Sequence, residues 1–315
     1  MIKQFRHQDI TWVDVTNPTK EELAQISRDY KIHSLVESEA SSPSARSRVD
    51  LYDNYLYLIL HFPECHSCVL PTKKTKLTKP ELGNLQEIDF ILSQDFLITI
   101  HYKNIPVLDE FSQIFETSFS KKSTDSKENC GLLFFQILLQ IYRSLDDDLN
   151  LLTNTLKKAE SNIFNGREKE MILVLSNINQ DLLDFSWSLK GHDRILKSLT
   201  EYLEVLFPNK FKHHSRALFN TYWRIYGTIS NLRDLFTELR TTNDSLLTTK
   251  TNEIMKILTI MAFTTFPLTV FTSTFGMNTI NTPIIGQNYD FWIIVAIMLV
   301  AVASMFIFFR YKRWL

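Results

Sequence analysis

Two charge-free apolar stretches lie near the end of the chain, Ile257 to Phe275 and Phe291 to Phe309. At about 1.5 Å of rise per residue, each helix of about 19 residues spans roughly 28 Å, close to the hydrocarbon thickness of a bilayer. The chain before them changes pattern twice. In the first hundred or so residues the apolar positions follow strand periodicity: Asp9 to Val15, Tyr52 to Leu60, Glu87 to Leu92 and Phe96 to His101. The last two runs flank Ser93-Gln94-Asp95, a hairpin signal. Thr19-x-x-Glu22, directly after Pro18, forms a capping box that opens a helix to about Tyr30.

From Cys130 the period becomes helical. Leu132 to Leu152 and Leu156 to Leu206 read as helix, with a break at Asn165-Gly166 and an end at Pro208-Asn209-Lys210. Ser215 to Lys256 holds no proline and only Gly227, which predicts a helix running into the first apolar stretch. The segment Leu70 to Gly83, rich in Lys and Pro, reads as a surface loop. The expected organisation is an α+β domain over 1–125, a helical hairpin over 126–210 and a stalk helix over 211–256. A membrane helix follows over 257–275, then an external loop over 276–290, a second membrane helix over 291–309 and a basic tail over 310–315.

Charge fixes the expected orientation. Lys256 precedes the first span, and Arg310, Lys312 and Arg313 follow the second, whereas Gly276 to Asp290 has no Lys or Arg. The positive-inside bias therefore puts the large N-terminal part and the tail in the cytoplasm, with Trp292 and Trp314 at the interfacial belts. The opening segment has no apolar h-region, so it does not read as a secretory signal. A soluble core with two buried helices is the alternative, and the basic flanks of both stretches argue against it.

Composition narrows the function. A net charge of −1 leaves no basic excess for a nucleic-acid binder. Only 7 glycines in 315 residues argue against glycine-rich phosphate loops. Three cysteines give no disulfide framework. No GxSxG, Walker or HExxH pattern occurs, and no nucleophile–base arrangement stands out, so the reading is not an enzyme and calls for no cofactor.

The two spans differ in chemistry. The second is almost purely apolar, with one Ser304, whereas the first carries Thr259, Thr264, Thr265, Thr269, Thr272, Ser273 and Thr274. Such hydroxyls can bond back to the preceding turn or line water. One stripe at steps of three or four runs Asn252, Met255, Leu258/Thr259, Ala262, Phe266, Thr269, Ser273 and Gly276/Met277. Polar rings alternating with apolar constrictions suit a pore. Two spans cannot enclose one, so this reading requires a symmetric oligomer. Lesser candidates are Cys65-His66-Ser67-Cys68 with His61 nearby, Asp146-Asp147-Asp148 and His213-His214. The CxxC pair lacks a second pair to complete a zinc site.

Phe275-Gly276-Met277-Asn278, directly after the first span, resembles the CorA family of divalent-cation channels. The similarity extends to Asn252-Glu253-Ile254-Met255-Lys256-Ile257-Leu258-Thr259, Phe266-Pro267-Leu268-Thr269 and Lys312-Arg313-Trp314-Leu315. Softer matches are Trp12-Val13-Asp14, Arg48 to Asp53 and Glu87 to Leu92. The resemblance implies a homopentamer with a funnel-shaped cytoplasmic domain in a prokaryotic plasma membrane. It implies passage of hydrated Mg2+, with Co2+ and Ni2+ as companions and Mg2+ also as a regulatory ion.

Carried over, Asn278 forms the outer ring, and Gly276 and Met277 shape its turn. Thr269 and Asn252 match polar rings, and Met255 and Leu258 match the gate; the stripe adds Ser273 to the first set and Phe266 to the second. The chain departs from the family at Phe266, where Met is frequent, and at Ser273, where Gly is frequent. The linker after Asn278 lacks an acidic residue before Asp290. Ser215 to Asn220 has no carboxylate where better-known members place regulatory aspartates. Two rivals remain at this point: a Zn2+ carrier of the ZntB branch, which tends to carry Gly-Val-Asn, and a membrane-anchored adaptor without flux.

Overall fold

The structure is a computed structural model that describes residues 1–7, 10–64, 85–118, 129–277, 284–285, 289–312 and 314. These residues form two compact units, Met1–Arg240 and Thr241–Leu315.

The first unit is built on a six-stranded sheet. Its strands are β1 (Ile2–His7), β2 (Ile10–Thr16), β3 (Arg48–Leu51), β4 (Tyr55–Pro63), β5 (Leu85–Ser93) and β6 (Phe96–His101). The spatial order is β1-β2-β6-β5-β4-β3. Only β2 and β6 pair in parallel; every other neighbouring pair is antiparallel. One face, with Val13, Val15, Tyr57, Ile59, Ile91, Ile98 and Ile100, packs on Leu23 and Ile26 of α1 (Lys20–Tyr30) and Val36 of α2 (Ser34–Glu39). The opposite face carries Trp12 and Phe90. Trp12 meets Phe111 and Phe115 of α3 (Pro106–Ser118), and Phe90 meets Phe134 of α4 (Cys130–Phe164) edge-on. With both faces covered, β4 is buried at every position, which is why its sequence reads as a continuous apolar run rather than a strict alternation.

Thr19 and Glu22 make both bonds of the capping box, so α1 starts where its sequence signal places it. The hairpin signal Ser93-Gln94-Asp95 joins β5 to β6 as expected. Strand β1 has no counterpart in the hydrophobic pattern. It is an edge strand with Lys3 and Arg6, anchored by Phe5 stacking 4.9 Å from Trp12, and charged edges mask strand periodicity.

The helical half contains α4, α5 (Glu168–Leu189), α6 (His192–Leu206) and the start of α7 (Lys212–Phe275). The break after α4 falls at Asn165-Gly166, where Gly166 takes φ 86°, a left-handed conformation suited to glycine. The expected continuous helix to Leu206 is interrupted a second time, at Lys190-Gly191. Gly191 there caps α6 and His192 drops into the core with no exposed surface.

Helix α7 runs for 64 residues without interruption, through Pro267 to Phe275. Helix α8 (Asp290–Tyr311) is the second helix long and apolar enough to cross a membrane. The structure therefore carries the soluble α+β part, the long helix and the two candidate membrane helices that the sequence pattern predicts.

Candidate ion pathway

The C-terminal half of α7 carries the residues singled out by the stripe. At about 100° per residue, Asn252, Met255, Thr259, Phe266, Thr269 and Ser273 share one side of the helix, whereas Thr264 and Thr274 fall off it. Met255, Leu258 and Phe266 are exposed on the single chain, Phe266 at 71%. Asn252, Thr269 and Ser273 are exposed as well.

The hydroxyl question has a geometric answer. Thr259, Thr264, Thr265, Thr269 and Thr274 each donate to the carbonyl four residues earlier, at 2.7–3.0 Å, and Thr272 donates to Thr269 at 3.0 Å. Back-bonding consumes the single hydroxyl proton and leaves oxygen lone pairs pointing away from the helix. Such a side chain is a pure acceptor. It suits a partner made of donors, such as the water shell of a cation, and it offers nothing to an anion.

Pro267 has no N–H to donate, so the carbonyl one turn earlier loses its helical partner. At the end of α7 the Gly276 N–H closes the last turn on the Thr272 carbonyl at 2.9 Å. A side-chain carbon at Gly276 would meet that same carbonyl oxygen at 3.1 Å, a tight contact that requires the carbonyl to shift slightly. Met277 follows and is exposed. Asn278 lies outside the described residues, as do Arg313 and the rest of the external loop apart from Gly276, Met277, Ile284, Ile285, Tyr289 and Asp290. At the far end of α8, Phe309 stacks on Trp314 at 6.0 Å.

Of the lesser constellations, Cys65, His66 and Cys68 lie outside the described residues. His61 is engaged elsewhere: its Nε2 lies 3.1 Å from Glu87, and its Nδ1 lies 2.8 Å from the Ser47 hydroxyl. Asp146 receives Arg224 of α7 on both oxygens, at 2.7 and 2.6 Å, which joins the start of α7 to α4. Burial, then the charges of Asp147 and Asp181, push the Asp148 carboxyl up to about 6. His214 packs its ring on Phe135 and Phe211. No group of three His, Cys, Asp or Glu side chains gathers to hold a metal among the described residues.

Two buried polar networks were not anticipated. On one sheet face, Thr99 donates to Asp14 at 2.6 Å, Trp12 donates to Thr99 at 3.1 Å, and His101 lies 3.3 Å from Asp14. On the other, Tyr57 donates to Asp89 at 2.9 Å beside Glu87 and His61. The available signal was an acid at alternate positions of an otherwise apolar strand, Glu87 and Asp89 of β5, which forces both inward with Ile91.

Comparison with known proteins follows the same outline. The family described as "CorA-like Mg2+ transporter protein" matches residues 7–313. The Cobalt/magnesium transport protein CorA of Methanocaldococcus jannaschii is 24% identical over 99% of this chain and 93% of its own length. That of Thermotoga maritima is 22% identical over 97% of this chain and 83% of its own. Among solved structures, the complete CorA magnesium transporter from Methanocaldococcus jannaschii superposes with a TM-score of 0.81 at 21% identity, covering 99% of this chain and 93% of that one. The ZntB cytoplasmic domain from Vibrio parahaemolyticus gives 0.52 at 14% identity over 76% of this chain and 88% of that one. At these identities the structural likenesses establish the fold.

Proposed function

The chain belongs to the CorA-like Mg2+ transporter family, and from that premise we propose that it is a homopentameric membrane channel admitting Mg2+, with Co2+ and Ni2+ as further passengers. The observation that supports this most directly is the stripe of α7, where back-bonded hydroxyls alternate with Met255, Leu258 and Phe266 and the helix closes on Gly276-Met277.

Mg2+ sheds water reluctantly and keeps an octahedral shell. Acceptor-only oxygens can receive hydrogen bonds from that shell without replacing it. In this reading an Asn278 ring does so at the outer mouth, and Asn252, Thr269 and Ser273 do so along the pore. Neutral oxygens also hold a divalent ion weakly enough to let it leave, which conduction demands. A doubly charged ion entering a compartment about 100 mV negative gains about 4.6 kcal/mol, so membrane potential suffices as the driving force. Both termini face the cytoplasm of a prokaryotic plasma membrane in this reading. Restraint by cytoplasmic Mg2+ in this reading is either weak or carried by acids outside Ser215–Asn220, a segment with no carboxylate.

Met277 stands against the Zn2+ alternative. Ion uptake by the purified protein in liposomes separates Mg2+, Zn2+ and no flux. Asn278→Ala is expected to abolish Mg2+ uptake while leaving a pentamer by mass measurement; uptake at the wild-type rate from an equally assembled variant would remove Asn278 from the pathway.

A further inference from the structure

We propose that Glu87 and Asp89 hold a single proton between them, and that this shared proton latches the segment Ser41–Ser47 onto the sheet. The inference concerns the first unit alone and does not rest on the transport reading.

The alternation of β5 puts both acids on one face, where Asp89 is 0% and Glu87 7% exposed. Asp89 Oδ2 accepts from the Tyr57 hydroxyl at 2.9 Å. Its Oδ1 is buried with no hydrogen-bond partner among the described residues. Glu87 stands two residues from Asp89 on the same buried face of β5, and its charge acts directly on Asp89. Two bare carboxylates in contact in a dry site repel strongly, and neither can donate to the other. One proton converts the clash into an O–H···O bond and gives the orphaned oxygen a role.

The surroundings decide where the proton sits. The Ser44 N–H donates to both Glu87 oxygens, at 3.0 and 2.7 Å. His61 Nε2 lies 3.1 Å from Glu87 Oε2 and 3.1 Å from the Ser44 carbonyl, while His61 Nδ1 meets the Ser47 hydroxyl. An N–H at His61 Nε2 serves both the Glu87 carboxylate and the Ser44 carbonyl. Glu87 thus has donors that favour its charge, and Asp89 has only a phenol; the proton belongs on Asp89. The other ionisable neighbours do not change this. Arg48 of β3 sits 5.8 Å from the Tyr57 ring centroid, already paired with Glu39 and Asp50. Tyr102 donates to the Ala40 carbonyl at 3.1 Å. Burial, then the Glu87 charge, hold the Asp89 carboxyl well above the usual carboxylate range.

Glu87 and His61 are also what holds Ser44 and Ser47 in place. Loss of the proton puts a second negative charge beside Glu87 in a dry site, and only water can relieve it, which enters as Ser41–Ser47 lifts away. The device therefore ties the release of this segment, in which Arg46 is a surface side chain, to alkaline pH.

The test uses the full-length purified protein. Infrared difference spectra of wild type against Asp89→Asn, and against Glu87→Gln, isolate the carbonyl band of this protonated carboxyl. Tryptic cleavage after Arg46, timed from neutral to alkaline pH against a reference site, reads the latch. The expected wild-type result is a protonated-carboxyl band at neutral pH that disappears on alkalinisation. Cleavage at Arg46 should rise about tenfold per pH unit over the same range, as for opening linked to one proton. Both amide variants should lose the band and keep Arg46 protected throughout, because an amide N–H replaces the acid O–H. The proposal is overturned if wild type has no such band at neutral pH, if either amide variant exposes Arg46 there, or if added Mg2+ abolishes the band, which would make the pair a cation site.

Discussion

His192 Nδ1 lies 2.8 Å from the Tyr142 hydroxyl, and neither side chain has any exposed surface. The pair locks the first turn of α6 against the middle of α4, directly after the Gly191 break. Burial, then the neighbouring His61, hold the His192 imidazole down to about 3.

That value carries a pH dependence of definite sign. Between about pH 6.5 and pH 3 the unfolded chain binds a proton at His192 that the folded chain refuses, so its contribution is complete above about 6.5 and falls with acid by up to about 1.4 kcal/mol per unit. His101 acts in the opposite sense. Burial works against its protonation, but the hydrogen bond and charge of Asp14 prevail and raise it, so its contribution is lost as pH rises through the raised value. Thermal unfolding of wild type and His192→Gln in mildly acidic buffers should show a shallower acid loss in the variant. Parallel profiles would exclude His192 as the group responsible.

Thr269 and Thr264 make the same back-bond to the helix, at 3.0 and 2.7 Å, but only Thr269 lies on the stripe. Replacing either by Val removes one hydroxyl and one back-bond, so helix effects cancel between the two. Thr269→Val is expected to slow Mg2+ uptake several-fold, and Thr264→Val to leave it near wild type. Equal effects would show that the hydroxyls serve the helix alone.

Phe266 is exposed on the isolated chain, and a ring of phenyl groups on a pore axis would form a dewetted constriction. Phe266→Ala should then leak, with faster flux and weaker dependence on cytoplasmic Mg2+. If Phe266 packs against a neighbouring helix instead, flux stays unchanged and assembly stability drops by roughly 3–5 kcal/mol. Flux and thermal stability measured on one preparation distinguish the outcomes.

Gly131 sits in the first turn of α4 against the buried Phe211 ring, and a methyl group there would run into that ring. Phe211 is itself packed against Phe135, Phe207 and His214, so moving the ring disturbs those contacts. Gly131→Ala should destabilise by about 1–3 kcal/mol from overpacking, despite alanine's better helix propensity. Phe211→Leu in the same chain should recover part of the loss; an unfolding midpoint at or above wild type for the single variant would contradict the packing.

Much of this architecture is written in local signals. The capping box at Thr19, the hairpin at Ser93–Asp95, the break at Gly166 and the long glycine-poor run into α7 each depend on residues close in sequence. What escaped depends on residues far apart. Strand β1 is defined by its partner β2 and by Phe5 on Trp12, not by its own polar-rich pattern. At the interruption at Gly191, His192 meets Tyr142, fifty positions away. That the stripe residues share one side of a helix was legible because helical periodicity is local, and the setting of Glu87 and Asp89 was not, because it depends on Tyr57, His61 and Ser44 from other segments.

An uninterrupted helix also has a phase. Each residue added to α7 between Thr241 and Asn252 turns the helix beyond it by about 100° relative to the turn just before it. Within Thr241–Phe275 the azimuth of Asn252, Phe266 and Ser273 therefore depends on the number of residues before them as much as on their identity. Insertion of a single alanine should turn the stripe off its axis and silence flux. Insertion of seven adds almost two full turns and should restore it, though the helix is then longer still.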